Sequence, residues 1–193
     1  MNSITHRQSD LVTGSLYDMA RKNNTSIAET FMACDVMILV DTSGSMASSD
    51  SRNGRSRYDV ACDELRSLQE SLPGKIAVLS FSGDVEFCPA GVATFMGGGT
   101  NMEKALKFAK LADVPGMRFI LISDGEPDNP ETTLAVAATY QCRIDTIFVG
   151  PEDMPAGQRF LANLAQASGG QTVTADRAKE LKSGIETLLL NAG

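Results

Sequence analysis

The sequence predicts an α/β fold: a doubly wound, mostly parallel sheet with helices on both faces. Three observations lead there. Apolar runs recur at 36–40, 75–81 and 117–122, each apolar nearly throughout rather than alternating, as in strands buried on both sides, and a further strand pattern follows at 143–149. Stretches of helical period separate them, and strands alternating with helices make a parallel sheet wrapped on both faces. The length, 193 residues, suits one such domain with a short appendage.

Residues 1–33 read as an N-terminal extension and 34–193 as the domain. In the extension, Leu11, Val12, Ser15, Leu16, Met19 and Ala20 form one face of a short helix, with Asp10 as its cap, Arg21 and Lys22 in its last turn, and Asn23-Asn24 as its stop. The expectation is a helix packed on the flank of the domain; a docking arm for a partner or a second copy is the alternative. After the first strand comes a polar loop, 47–57, then a helix over 58–71 with Val60, Ala61, Leu65 and Leu68 inward, stopped by Pro73-Gly74. The second strand, 75–81, turns at Ser82-Gly83-Asp84 into a short antiparallel edge strand over 85–88. A helix over 101–112 buries Met102, Ala105, Leu106 and Ala109. The strand at 117–122 runs into SDGEPD, and a helix covers 131–140. Strand 143–149, helix 156–168 with Gly169-Gly170 as its stop, a short strand at 171–174 and a closing helix at 178–190 complete the chain. The closing helix carries Leu181, Ile185, Leu188 and Leu189 as its apolar stripe.

Composition excludes several functions. The formal charge of -7 argues against nucleic acid and against an anionic membrane surface. No apolar run approaches the roughly 20 residues of a membrane span, and the first ten residues lack the apolar centre of a signal peptide, so the expectation is a cytoplasmic protein. Cys34, Cys62, Cys88 and Cys142 are too widely spaced for a zinc site and are expected to be reduced thiols. His6 is the single histidine, which leaves little for triad chemistry. The glycine runs match neither the phosphate-binding loop nor the dinucleotide fingerprint.

Chemistry concentrates at VMILVDTSGSM, residues 36–46. The strand delivers Asp41, Ser43 and Ser45 at alternate positions around Gly44, and three oxygen-bearing side chains turned to one point suit a small hard cation. Alone, the stretch fits a helix-capping loop equally well. Ligands of open parallel sheets lie beyond the carboxyl ends of the strands, where the order reverses. If the first and fourth strands are neighbours there, Asp41 meets Asp124, and the Gly97-Gly98-Gly99 loop brings Thr100 to the same edge. The inventory is then three hydroxyls and two carboxylates. Mg²⁺ takes six oxygens at about 2.0–2.1 Å and keeps several waters, so a set poor in charge leaves the ion electron-poor and open to a carboxylate from outside.

Asp41-x-Ser43-x-Ser45, Thr100 after three glycines and Asp124 in ISDGEPD together resemble the von Willebrand factor A domain and its metal-ion-dependent adhesion site. The resemblance covers about residues 34–193, and none of the five positions departs from the pattern. It implies a six-stranded sheet of order 3-2-1-4-5-6 with the third strand antiparallel. It also implies that Asp41, Ser43, Ser45, Thr100 and Asp124 form the metal site: the serines ligate directly, Thr100 directly or through water, and the aspartates largely through water. Around this rim Glu126, Asp128, Asp50 and Asp59 are expected to be solvated charges, and Met96 and Met102 core residues. Arg52, Arg55 and Arg57 form either a basic lip for an acidic partner or a self-solvated loop.

The expected function is a non-enzymatic interaction module. It binds an Asp or Glu of a partner protein through Mg²⁺, with Mn²⁺ and Ca²⁺ also open. Intracellular relatives in the family implied by the resemblance serve as adaptors or as subunits beside AAA+ ATPases, which makes such an ATPase a candidate partner. Two alternatives stand: a Mg²⁺-dependent phosphate or ester hydrolase using Asp41, and a structural subunit of a larger assembly. Tightening of Thr100 onto an ion would draw the glycine loop inward; the resemblance implies that such a movement is passed in some relatives to the last helix, here 178–190, while a static closing helix is the favoured expectation.

Overall fold

The sheet is built around β1 (Val36–Asp41), a strand buried at every position. It pairs in parallel with β2 (Ile76–Phe81) on one side and β4 (Arg118–Ser123) on the other. The computed structural model describes residues 11–50, 54–125, 127–150 and 155–174. The closing helix expected at 178–190, together with His6, Asp10, Arg52 and Glu126, lies outside the described residues. Beyond β2 the antiparallel β3 (Val85–Phe87) forms one edge; beyond β4 come β5 (Ile144–Phe148) and β6 (Thr172–Thr174), both parallel. The order is β3-β2-β1-β4-β5-β6, as the sequence resemblance implies.

Alternate residues of each strand serve opposite faces. On one face Val36, Ile38, Val40, Ile76, Val78, Ile120 and Ile122 pack with Val60, Ala61, Leu65 and Leu68 of α3 (Arg57–Ser71). On the other, Met37, Leu39, Leu79, Phe81, Phe119 and Leu121 pack with α4 (Met102–Ala109) and α6 (Pro155–Ala167). Met102 lies in this core and Met96 is half-buried. Each such side chain, taken fully out of water, contributes about 1.5–3 kcal/mol, which sets the strand ends firmly in place.

The extension forms two helices where the sequence pattern indicates one. The first, α1 (Leu16–Asn23), is capped by Ser15 and ends at Asn24 in the left-handed region. The second, α2 (Ile27–Phe31), is too short to show a period and is held by a capping box between Ser26 and Glu29. Val12 and Tyr17 donate backbone hydrogen bonds to Ala90 and Pro89, and Phe31 meets Phe87 edge-on at 5.9 Å between ring centroids. The flank of β3 is thereby covered.

Helix ends also differ from their expected bounds. The helix expected to reach Ala112 stops as an α-helix at Ala109 and tightens into a 3₁₀ turn, Lys110–Ala112. The next, α5 (Pro130–Ala137), ends three residues before Tyr140, whose ring packs edge-on to Phe119 and whose hydroxyl donates to the Leu106 carbonyl. All four cysteines are free thiols.

Because β1 is the common neighbour of β2 and β4, truncation at its centre should be felt across the sheet. Leu39→Ala is expected to cost about 2–5 kcal/mol in urea unfolding without changing the denaturant slope.

Candidate functional site

β1 and β4 are adjacent, and Val40 is in register with Ile122. Their next residues, Asp41 and Ser123, therefore leave the sheet side by side. The Ser123 hydroxyl donates to Asp41 Oδ2 at 2.5 Å, and the Ser43 amide donates to Oδ1 at 2.8 Å. From there the polar chain continues outward. The Ser43 and Ser45 hydroxyls are 3.2 Å apart, and the Ser45 hydroxyl donates to Asp124 Oδ1 at 2.9 Å. Four of the five residues singled out in the sequence thus form one connected set at the carboxyl edge.

Thr100 comes to this edge through its backbone. The Gly44 amide donates to the Gly98 carbonyl at 3.1 Å, and the Gly97 amide donates to the Thr42 carbonyl at 2.9 Å. Gly97 and Gly98 have φ of +69° and +82°, which a side chain would strain, so glycine is what lets this loop lie against the serine turn. The Thr100 amide donates to Asp128 Oδ1, and the Asp128 amide donates back to the Thr100 carbonyl, each at 3.0 Å. The glycine loop is thus tied to both the β1 loop and the β4 loop. Among the described residues the Thr100 hydroxyl makes no hydrogen bond to the other four.

Several rim residues take parts that differ from expectation. Arg57 belongs to no basic lip. Its side chain is only 6% exposed, and its guanidinium bonds Asp124 Oδ2 through Nη1. Its Nε and Nη2 reach the two carboxylate oxygens of Asp50 at 2.9 and 2.6 Å. Asp50 is therefore a paired carboxylate rather than a solvated one, and Asp128 is a loop tie. Arg55 sits apart on the surface with Asp63. The sequence pattern leaves Arg57 in the polar loop 47–57; only the folded chain makes it the first residue of α3, where the macrodipole disfavours a cation and strong partners are needed to keep it. Ser123 escaped notice because only the strand register places it beside Asp41.

The electrostatics follow from burial. Asp41 is 0% and Asp124 is 1% exposed. Burial pushes the Asp41 carboxyl up to about 6, against the bonds from Ser123 and Ser43, which lower it, and the nearby Asp124 raises it further. The groups that donate to it, the Ser43 amide and the Ser123 hydroxyl, are neutral. Among the described residues no group of three His, Cys, Asp or Glu gathers as ligands. The set is two carboxylates and hydroxyls, all hard oxygen donors, which fits a small divalent cation and not a soft metal. A cation beside Asp41 would relieve the cost of its buried negative charge, for which Arg57 is no direct partner.

With β3 antiparallel and this strand order, the sheet has the topology of a von Willebrand factor A-like Rossmann fold. The sequence matches no protein-family model and no curated protein. Solved structures do match the fold. An aerotolerance-related membrane protein from Bacteroides fragilis, solved with multiple mutations to serines, superposes with a TM-score of 0.63 at 16% identity, covering 81% of this chain and 98% of that one. The conserved hypothetical protein BatB from Bacteroides thetaiotaomicron gives 0.58 at 18% identity, over 80% of this chain and 98% of that one. Proximal thread matrix protein 1 from the mussel byssus also gives 0.58 at 18% identity, over 90% of this chain and 51% of that one. At such identities the likeness is one of fold. Among the described residues no helix is long and apolar enough to cross a membrane.

The raised Asp41 carboxyl has a stability consequence whose sign is definite. Its folded value, about 6, lies above the ordinary 3.8, so the folded state binds the proton more tightly. In EDTA, Asp41 therefore favours folding fully below about pH 4 and loses that contribution as pH rises through about 6. Asp41→Asn should be the more stable protein in EDTA at pH 7, and its advantage should shrink on acidification from pH 6 to 4, as read by urea unfolding.

Proposed function

We propose that this chain is a metal-dependent protein-interaction module that binds an acidic residue of a partner protein. The observation that supports this best is the connected set Asp41–Ser43–Ser45–Asp124, with both carboxylates buried and Gly44 and Ser45 exposed at its rim. Ser43 and Ser45 would hold a Mg²⁺, Asp41 and Asp124 would balance its charge, and Thr100 would complete the protein side. Mn²⁺ and Ca²⁺ suit the same oxygen donors. Bound there, the cation would supply an electrophilic position that a carboxylate from outside can take.

The chain's own residues set the terms of that exchange. The buried strand ends fix Asp41 and Asp124 before any partner arrives, so little ordering is needed at the site on binding. The hydroxyls are neutral, so the protein contributes few charges and an incoming Asp or Glu adds one. Gly97 and Gly98 let the Thr100 loop approach or withdraw while its ties to the β1 and β4 loops keep it in register. None of these roles requires catalysis. The resemblance in the sequence suggests a cytoplasmic adaptor or a subunit working beside an AAA+ ATPase.

The reading predicts that Mg²⁺ raises the melting temperature of the purified chain and that Asp41→Ala abolishes this rise. Co-purification of an acidic-surfaced partner should be lost in EDTA and lost equally in Asp41→Ala with Mg²⁺ present. A partner retained under both conditions would overturn the proposal.

A further inference from the structure

Among the described residues Arg57 is the one cation that the fold drives into this site, and its placement is costly in two ways. It stands at the first position of α3, where the helix dipole opposes positive charge, and its side chain is almost wholly withdrawn from water. Two carboxylates hold it there. Asp124 is fully buried, whereas the Asp50 side chain is 36% exposed. Both keep the guanidinium charged, through hydrogen bonds and through their charge. The two oxygens of Asp124 are divided: Oδ1 faces the Ser45 hydroxyl and Oδ2 faces Arg57. The carboxylate is thus aimed at the serine cluster by a cation standing behind it.

We propose that Arg57 is an internal counter-cation of the metal site: it claims part of the charge of Asp124, and Asp50, by drawing Arg57 outward, decides how much of that charge remains for a divalent ion. This rests on the metal-binding reading above and deepens it. With Arg57 in place the negative charge of Asp124 is already balanced, so a bare divalent ion meets roughly the charge of Asp41 alone. The site then binds metal weakly by itself, and an external carboxylate restores what Arg57 has withdrawn. Arg57 thereby couples metal occupancy to the presence of an acidic partner. It is a positioning residue, acting through Asp124 without touching the ion.

The two flanking substitutions should move metal affinity in opposite directions. Arg57→Gln removes the competing charge and leaves Asp124 buried without its cation. Its melting temperature in EDTA should fall, its rise on adding Mg²⁺ should exceed that of the unaltered chain, and Mg²⁺ should bind at least about tenfold more tightly by calorimetry. Added acetate, a minimal carboxylate, should strengthen Mg²⁺ binding less in Arg57→Gln than in the unaltered chain. Asp50→Asn, at a half-exposed position, should retain the fold and weaken Mg²⁺ binding. If Arg57 served only to hold the fold, Arg57→Gln would lower the melting temperature equally with and without Mg²⁺, or bind Mg²⁺ less well; either result overturns the inference. Should Arg57→Gln fail to fold, Asp50→Asn decides alone, and unchanged or tighter Mg²⁺ binding in it counts against the inference. Absence of any Mg²⁺ response in the unaltered chain would instead remove the metal-binding reading itself.

Discussion

The carboxylate of Asp41 lies at the end of the central strand with no exposed surface, and the rest of the site is arranged around accommodating it. Burial raises the cost of its charge, so every neighbour that donates toward it is needed. The parallel pairing of β1 with β4 supplies Ser123, and the turn after Asp41 supplies the Ser43 amide. Both are dipoles rather than charges. A second carboxylate, Asp124, emerges one residue beyond Ser123 and brings its own cation, Arg57, from the start of α3. Three segments of the chain, one of them some eighty residues from the first, therefore depend on one another through electrostatics at a single sheet edge.

The fold could be read from the sequence because its strands are buried on both faces. Continuous runs such as Val36–Val40 have no other reasonable structural use at that length. The strand order followed from the resemblance, and with it the adjacency of Asp41 and Asp124. What escaped was set by tertiary context. The five-residue α2 has no period to detect, and its capping box is legible only once a helix is assumed there. Tyr140 continues a helical pattern yet leaves the helix, because its ring and hydroxyl find partners on Phe119 and Leu106.

Within the site, the side chains carrying oxygen were visible because their spacing around Gly44 is unusual. The residues that tune them were not. Ser123 reads as an ordinary loop residue until the register places it beside Asp41. Arg57 reads as one more charge in a polar loop, since a one-dimensional pattern cannot tell a solvated arginine from one buried between two aspartates. Asp128 is similar: it lies 28 positions from Thr100, and only the folded chain shows its carboxylate accepting from that amide.

The described sheet finishes on both sides in very short strands. β3 and β6 have three residues each, and β3 is further hemmed in by the hydrogen bonds of Val12 and Tyr17 just past its end. A guest peptide seeking to extend the ladder meets too few free backbone groups to gain much. Neighbouring copies of the protein are discouraged from zipping together edge to edge for the same reason. The recognition proposed for the crest of loops therefore meets little competition from the generic stickiness of exposed strands.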